Sequence, residues 1–149
     1  AAVGEVNVVV KMKEIGAVIG GEGNGGIIYP ELHYGRDSLV GIALFLSHLA
    51  HKNTSMTTLR ASYPNYVISK NKIDLAPTTN VDDILVQMAK KYAANEVDTT
   101  DGVKIYIEKE WVHLRKSNTE PIIRIYAESA SEEKATDLAL RIIEEIKAF

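Results

Sequence analysis

No cysteine occurs among the 149 residues. That excludes disulfides, thiolate metal sites and cysteine nucleophiles together, and it fits a reducing compartment, so a cytoplasmic location is expected. No apolar stretch approaches the roughly 20 residues that a membrane span requires, and no cationic, apolar leader opens the chain, so no membrane partner is expected. Basic residues are in deficit: Lys+Arg number 17 against 20 Asp+Glu, for a net charge of -3. A duplex DNA binder would show a basic surplus, so no nucleic-acid partner is expected, although one local cluster could still hold a small anion. No spacing of His, Asp and Glu makes a metal site. Internal repeats and low-complexity tracts are absent as well.

What the chain does have is ordinary globular composition, 46% hydrophobic and 25% charged. Its character changes near Lys52-Asn53-Thr54-Ser55, which sets an expected boundary at 55/56. Before it, Ala17-Val18-Ile19 reads as a short buried strand ended by Gly20-Gly21. Asp37 is placed to cap a helix in which Leu39, Ile42, Ala43, Leu46, Leu49 and Ala50 repeat at helical spacing. Val40, Leu44 and Phe45 make that helix apolar nearly all round, which predicts burial between other elements. Between Gly4 and Lys13, the valines at 6, 8, 9 and 10 favour a strand by propensity, while Val6, Val9, Val10 and Lys13 also fit a helix.

After the boundary the pattern is clearer. A strand is predicted over 66–75. A helix follows, capped at Thr79 or Asn80, with Val81, Leu85, Met88, Ala89 and Tyr92 on one stripe. Val103, Ile105 and Ile107 alternate with polar partners and turn through Glu108-Lys109-Glu110 into Trp111-Val112-His113-Leu114, a hairpin. A further strand is predicted over 122–127. Ser129 and Glu132 have capping-box spacing before a helix with Ala135, Leu138, Ala139, Ile142 and Ile146 on one face. Three or four strands with two amphipathic helices predict an α+β domain, an antiparallel sheet with helices on one face. The first 55 residues predict only part of an α/β domain, too little to bury their own helix. The chain is therefore expected to be the tail of a longer protein, and to self-associate through exposed apolar surface when isolated.

Three constellations could carry chemistry. In Gly20-Gly21-Glu22-Gly23-Asn24-Gly25-Gly26, neither the dinucleotide spacing nor the Gly-Lys of a P-loop is present, and a carboxylate repels phosphate. Glu22 and Asn24 on bare backbone instead suit neutral hydroxyl groups; a plain surface turn is the alternative. Arg115-Lys116-Ser117-Asn118-Thr119-Glu120-Pro121, with Arg124 beyond it, combines a planar guanidinium with hydroxyl and amide donors. That suits an anion, with a polar hairpin loop as the alternative and Glu120 expected to turn away or hold a cation. In His33-Tyr34-Gly35-Arg36-Asp37, histidine and arginine could meet a ligand or do acid–base work, or the segment could simply cap the helix.

The segments Glu22-Gly23-Asn24-Gly25-Gly26 and Arg115-Lys116-Ser117-Asn118-Thr119-Glu120-Pro121 resemble, in order and separation, the alpha-D-phosphohexomutase superfamily of phosphoglucomutases, phosphomannomutases and phosphoglucosamine mutases. Gly35-Arg36-Asp37 opening an apolar helix and the run Arg124-Ile125-Tyr126-Ala127-Glu128 fit the same pattern. The resemblance implies that residues 1–55 end the third of four domains and that 56–149 form the fourth, whose fold resembles a TATA-binding-protein half. It also implies a helix over Gly4–Lys13. Glu22 and Asn24 would contact sugar hydroxyls; Arg115, Ser117, Asn118, Thr119 and Arg124 would grip the phosphate of a hexose phosphate. The implied enzyme interconverts hexose 1- and 6-phosphates of glucose or mannose type through a phosphoserine and a bisphosphate intermediate. Its phosphoserine loop and its Mg2+ loop belong to N-terminal domains that would be its intramolecular partners, so no catalytic or metal residue is expected here, and this stretch alone is expected to be inactive. The competing reading is a non-catalytic module that binds an anion or nucleic acid through the Arg115 loop.

Overall fold

Alternation with period two decides the larger half of the molecule, and helical spacing decides what covers it. The computed structural model describes residues 1–76, 79–117 and 120–149. It divides into two compact units, Ala1–Pro64 and Asn65–Phe149. The division falls later than 55/56 because a short helix the sequence did not predict, Met56–Ala61, continues the first unit; Ser55 caps it, its hydroxyl accepting from the Thr58 N–H at 3.1 Å.

In the first unit, helix α1 spans Glu5–Ile15. The strand favoured by valine propensity is thus overturned, and the helix implied by the family resemblance stands. Strand preference is a fit to a pleated surface, not an intrinsic property of the backbone, and tertiary context overrides it. Strands β1 (Gly20–Gly21) and β2 (Ile27–Ile28) pair antiparallel as a two-residue ladder, Gly20 opposite Ile28. The expected strand at Ala17–Ile19 does not form, and Val18 is 78% exposed. Helix α2 (Ser38–Lys52) begins as predicted at Asp37, whose carboxylate accepts from the N–H groups of Leu39 at 2.8 Å and Val40 at 3.0 Å. Its predicted burial fails: α2 contains no buried residue, and Leu39 is 76% exposed. Only Met12, Ile28 and Leu59 (the last on α3, Met56–Ala61) are buried in this unit. Few elements cannot enclose a helix that is apolar on every side.

In the second unit, β3 (Val67–Asp74), β4 (Glu96–Asp98), β5 (Val103–Ile107), β6 (Glu110–Lys116) and β7 (Ile122–Ser129) form a five-stranded sheet. The order is β3-β7-β6-β5-β4, and every pairing is antiparallel. Helices α4 (Val81–Lys91) and α5 (Glu132–Lys147) cover one face. Val103, Ile105, Val112, Leu114, Ile123, Ile125 and Ala127 point into that layer and meet Leu85, Met88, Leu138 and Ile142. Each large aliphatic so buried contributes about 1.5–3 kcal/mol. This is the α+β sandwich that the sequence predicts, with one more strand. The α5 cap is Ser131, which accepts from the Lys134 N–H at 3.3 Å; it is not Ser129. Ser129 ends β7 instead, fully buried, and donates its hydroxyl to Glu110.

Candidate functional site

The β1–β2 hairpin is closed by backbone bonds from Glu22 N–H to Gly26 O at 3.3 Å and from Gly25 N–H to Glu22 O at 3.1 Å. The turn brings the two predicted hydroxyl-reading side chains together. The Asn24 amide donates to Glu22 Oε2 at 3.4 Å, and Asn24 Oδ1 accepts from the Gly26 N–H at 2.9 Å. Glu22 Oε1 accepts from the N–H of Gly4, the residue that caps α1, at 3.0 Å. A carboxylate at the positive end of a helix is favourably placed, and this bond holds it in position. One oxygen is therefore anchored, and the other keeps acceptor capacity for a hydroxyl.

The His33–Asp37 segment takes its capping role. His33 Nδ1 accepts from the Gly35 N–H at 3.0 Å, so the ring hydrogen sits on Nε2 and donates to Asp37 Oδ2 at 3.2 Å. The Val40 N–H first, then His33, hold the Asp37 carboxyl below its ordinary value. Arg36 turns to Glu5 on α1: its Nε donates to Oε2 at 2.9 Å and its backbone N–H to Oε1 at 3.2 Å.

In the second unit the predicted phosphate residues lie where β6 runs into β7. Trp111, His113 and Arg115 alternate with the buried Val112 and Leu114, and so lie on the face of the sheet away from the helices. Arg124, Tyr126 and Glu128 do the same on β7. The register sets Arg115 directly opposite Arg124, and Arg124 opposite Lys72 of β3. Three cations thus form one row across three strands. Their mutual repulsion is relieved in part by Asp101, whose Oδ2 stands 3.0 Å from Arg115 Nε, and by Asp74, 3.4 Å from Lys72 Nζ. The Arg115 Nε–H is not aimed along the line to Asp101, so the contact is an ion pair without hydrogen-bond geometry. A phosphate dianion over the row would relieve the repulsion further.

Gly102 makes this arrangement possible. Its φ is +76°, and a Cβ there would stand 2.2 Å from the Leu114 carbonyl oxygen, so only glycine lets the loop carrying Asp101 lie against β6. His113 Nε2 donates to the Asp101 carbonyl, which ties β6 to the loop that carries Asp101. Ser117 is buried, and its N–H donates to the Ile122 carbonyl at 3.1 Å, closing the neck of the loop. Asn118 and Thr119, also predicted to bind phosphate, lie outside the described residues. Glu120 is exposed and lines, with Lys70, Lys72, Arg124 and Tyr126, a shallow cavity of about 300 Å³. Glu120 thus shares that cavity with three cationic side chains. Among the described residues no group of three or more His, Asp or Glu could hold a metal ion, and no helix is long and apolar enough to cross a membrane.

Sequence reasoning passed over two members of these clusters. Lys72 was visible as one of two alternating lysines in β3, but its row is a property of register. Arg36 was singled out, but not its carboxylate partner 31 positions away.

Residues 1–66 match the family model described as phosphoglucomutase/phosphomannomutase, alpha/beta/alpha domain III, and residues 74–145 match phosphoglucomutase/phosphomannomutase, C-terminal domain. The chain is 41% identical to the phosphoglucosamine/phosphogalactosamine mutase of Sulfurisphaera tokodaii, covering 91% of this chain and 30% of that protein. It is 35% identical to the phosphoglucomutase/phosphomannomutase of Thermococcus kodakarensis, over 96% of this chain and 32% of that one. A crystal structure of a phosphoglucomutase/phosphomannomutase family protein from Burkholderia thailandensis superposes with a TM-score of 0.73 at 27% identity, over 97% of this chain and 32% of that one. The chain thus spans about a third of the length of the curated relatives it matches.

Proposed function

We propose, from the premise that this chain belongs to the alpha-D-phosphohexomutase superfamily and carries its C-terminal part, that it supplies substrate-binding stations to an enzyme interconverting hexose 1- and 6-phosphates. The two units would be the end of the third domain and the fourth domain. One station, Glu22 with Asn24, reads ring hydroxyls; the other, Arg115 and Arg124 with the Ser117–Thr119 loop, holds a phosphate. The observation that carries this reading is the pairing of chemistries: an anchored carboxylate–amide hairpin that suits neutral hydroxyls, and a cation row that suits a phosphate.

A mutase must hold the non-reacting phosphate in two orientations of the sugar. Guanidinium groups on an open sheet face accept a phosphate from several directions, whereas a pocket shaped to the ring would accept one. The phosphoryl step itself rests on positioning and charge stabilisation. Mg2+ and the phosphoserine belong to this reading as parts of other domains. The described residues do not form a magnesium site, so no step is assigned to the metal here. Alone, these residues bind and orient without catalysing.

Likeness to phosphoglucosamine mutases makes glucosamine phosphate the first substrate to test, with glucose and mannose phosphates beside it. The full-length protein, given each sugar 1-phosphate with a trace of the matching bisphosphate, is expected to yield the 6-phosphate, followed by phosphorus NMR. If none of the three is converted, the reading fails.

A further inference from the structure

The hairpin turns at Gly26 beside Arg36, and the two cannot both carry a side chain in that space. A Cβ at Gly26 would stand 2.7 Å from Arg36 Cδ, 3.2 Å from its Cγ and 3.2 Å from Asn24 Oδ1. Contacts this short force a neighbour to move, and Arg36 can move aside only by disturbing its bonds to Glu5. Both ends of the residue are tied to a single carboxylate, Nε to Glu5 Oε2 at 2.9 Å and the backbone N–H to Glu5 Oε1 at 3.2 Å. Glu5 in turn sits in the first turn of α1, where its charge is favoured. The empty position at 26 is therefore the slot through which the stem of Arg36 reaches the hairpin.

What this places together is chemically specific. Arg36, Asn24, Gly25, Gly26 and Ser38 border an open hollow of about 620 Å³, and the Arg36 side chain is 51% exposed. The guanidinium N–H groups other than Nε–H add donors to a residue that lines the same hollow as Asn24. Glu22 and Asn24 accept from hydroxyl hydrogens, and a guanidinium donates to hydroxyl oxygens. A sugar hydroxyl does both at once. Acceptor and donor flanking one turn can read a pair of neighbouring hydroxyls, and they fail to read an epimer in which one of the two points elsewhere.

We propose that Arg36, positioned by Glu5 and admitted by the missing side chain at Gly26, is a specificity-determining residue that reads the configuration of a hexose ring hydroxyl. This rests on the mutase reading above. A site built to donate to a substrate oxygen discriminates against an epimer that leaves the donor unmatched once the sugar covers it.

The experiment uses the full-length protein with glucosamine 1-phosphate, glucose 1-phosphate and its C2 epimer mannose 1-phosphate, comparing kcat/KM ratios among them. Arg36→Ala is expected to change at least one of these ratios by roughly tenfold or more, the loss of one charge-assisted contact. Gly26→Ala leaves every polar group in place but displaces Arg36, and should shift the same ratio in the same direction. Affinity for inorganic phosphate alone, which reports on the Arg115 row, should stay within about twofold in both variants, with circular dichroism confirming that each is folded. Unchanged ratios in both folded variants, with a wild-type enzyme that turns over at least one of the three sugars, overturn the role of Arg36 and leave the mutase reading intact. Should one variant not fold, the other decides alone. A wild-type protein that converts none of the three defeats the mutase reading and takes this inference with it.

Discussion

Replacing Arg115 by alanine tests the phosphate station most directly. Its side chain is about one quarter exposed, intermediate between a surface group and a core one, and it lies in register with Arg124. A charge-assisted hydrogen bond to a phosphate oxygen contributes roughly 1.5–3 kcal/mol. At about 1.4 kcal/mol per tenfold, its loss should weaken binding roughly 10- to 150-fold. Asp101 pushes the value toward the upper end. Its carboxylate, now 3.0 Å from Arg115 Nε, would lose that ion pair while still near the anion. The double variant Arg115→Ala/Asp101→Asn removes that repulsion and should recover part of the loss, so the two changes are non-additive, as expected of groups in contact. Arg115→Lys keeps the charge but not the planar fork, and should fall between. Titration calorimetry of the full-length protein with hexose 6-phosphate at low ionic strength compares wild type, Arg115→Ala, Arg115→Lys, Asp101→Asn and the double variant. Binding by Arg115→Ala within about twofold of wild type would refute the assignment, as would a double variant no better than the single one.

Other outcomes follow from the same coordinates. Ile125→Ala empties a fully buried site in the sheet core and should cost about 2–5 kcal/mol in denaturant unfolding; a loss under about 1 kcal/mol would contradict its placement. Asp37 is held below its ordinary 3.8 chiefly by the Val40 N–H, so its ionised form supports α2 at every pH above 3.8, and that support disappears as pH falls through the lowered value. Helical circular dichroism should accordingly drop below about pH 4 in the wild type, and Asp37→Asn should flatten the part of that loss due to the cap. Gly102→Ala forces a side chain onto the Leu114 carbonyl at a φ of +76°, and should lower the melting temperature while speeding amide exchange in β5 and β6; an unchanged melting temperature would count against the close approach. The isolated chain, with Leu39, Ile42 and Leu46 exposed on α2, should self-associate in sedimentation velocity, and a clean monomer at high concentration would contradict that.

Where the sequence was legible, two faces of one element were written in one short stretch. Alternation in 103–107 and 111–116, and the stripe Ala135, Leu138, Ala139, Ile142, Ile146, needed no partner to be read, and all of those stripe residues are buried. Strand β4 has one apolar residue, Val97, in three, and forms because β5 offers it a ladder rather than through any pattern of its own. In α1 the β-branched residues pointed the wrong way because intrinsic strand preference is weak beside tertiary context. Ser129 and Ser131 both lie before a helix, and only the demand of β7 for another paired residue decided which one caps it. At the site, Glu22, Asn24, Arg115 and Arg124 could be picked out by residue chemistry. The Lys72–Arg124–Arg115 row and the bond from Glu5 to Arg36 join residues far apart in the chain, and no local spacing encodes them.

Strand β7 holds Ile123, Ile125, Ala127 and Ser129 on one side and Arg124, Tyr126 and Glu128 on the other. Parity is therefore a heritable constraint. Slipping the strand by one residue against β6 would drive an arginine and a glutamate among the aliphatic side chains and turn isoleucines to water, while slipping it by two would exchange like for like. Insertions and deletions that survive in descendants of this sequence, where they shift that strand, should come in even numbers of codons. Point changes on the outward side alter the charge of that face without touching the aliphatic layer.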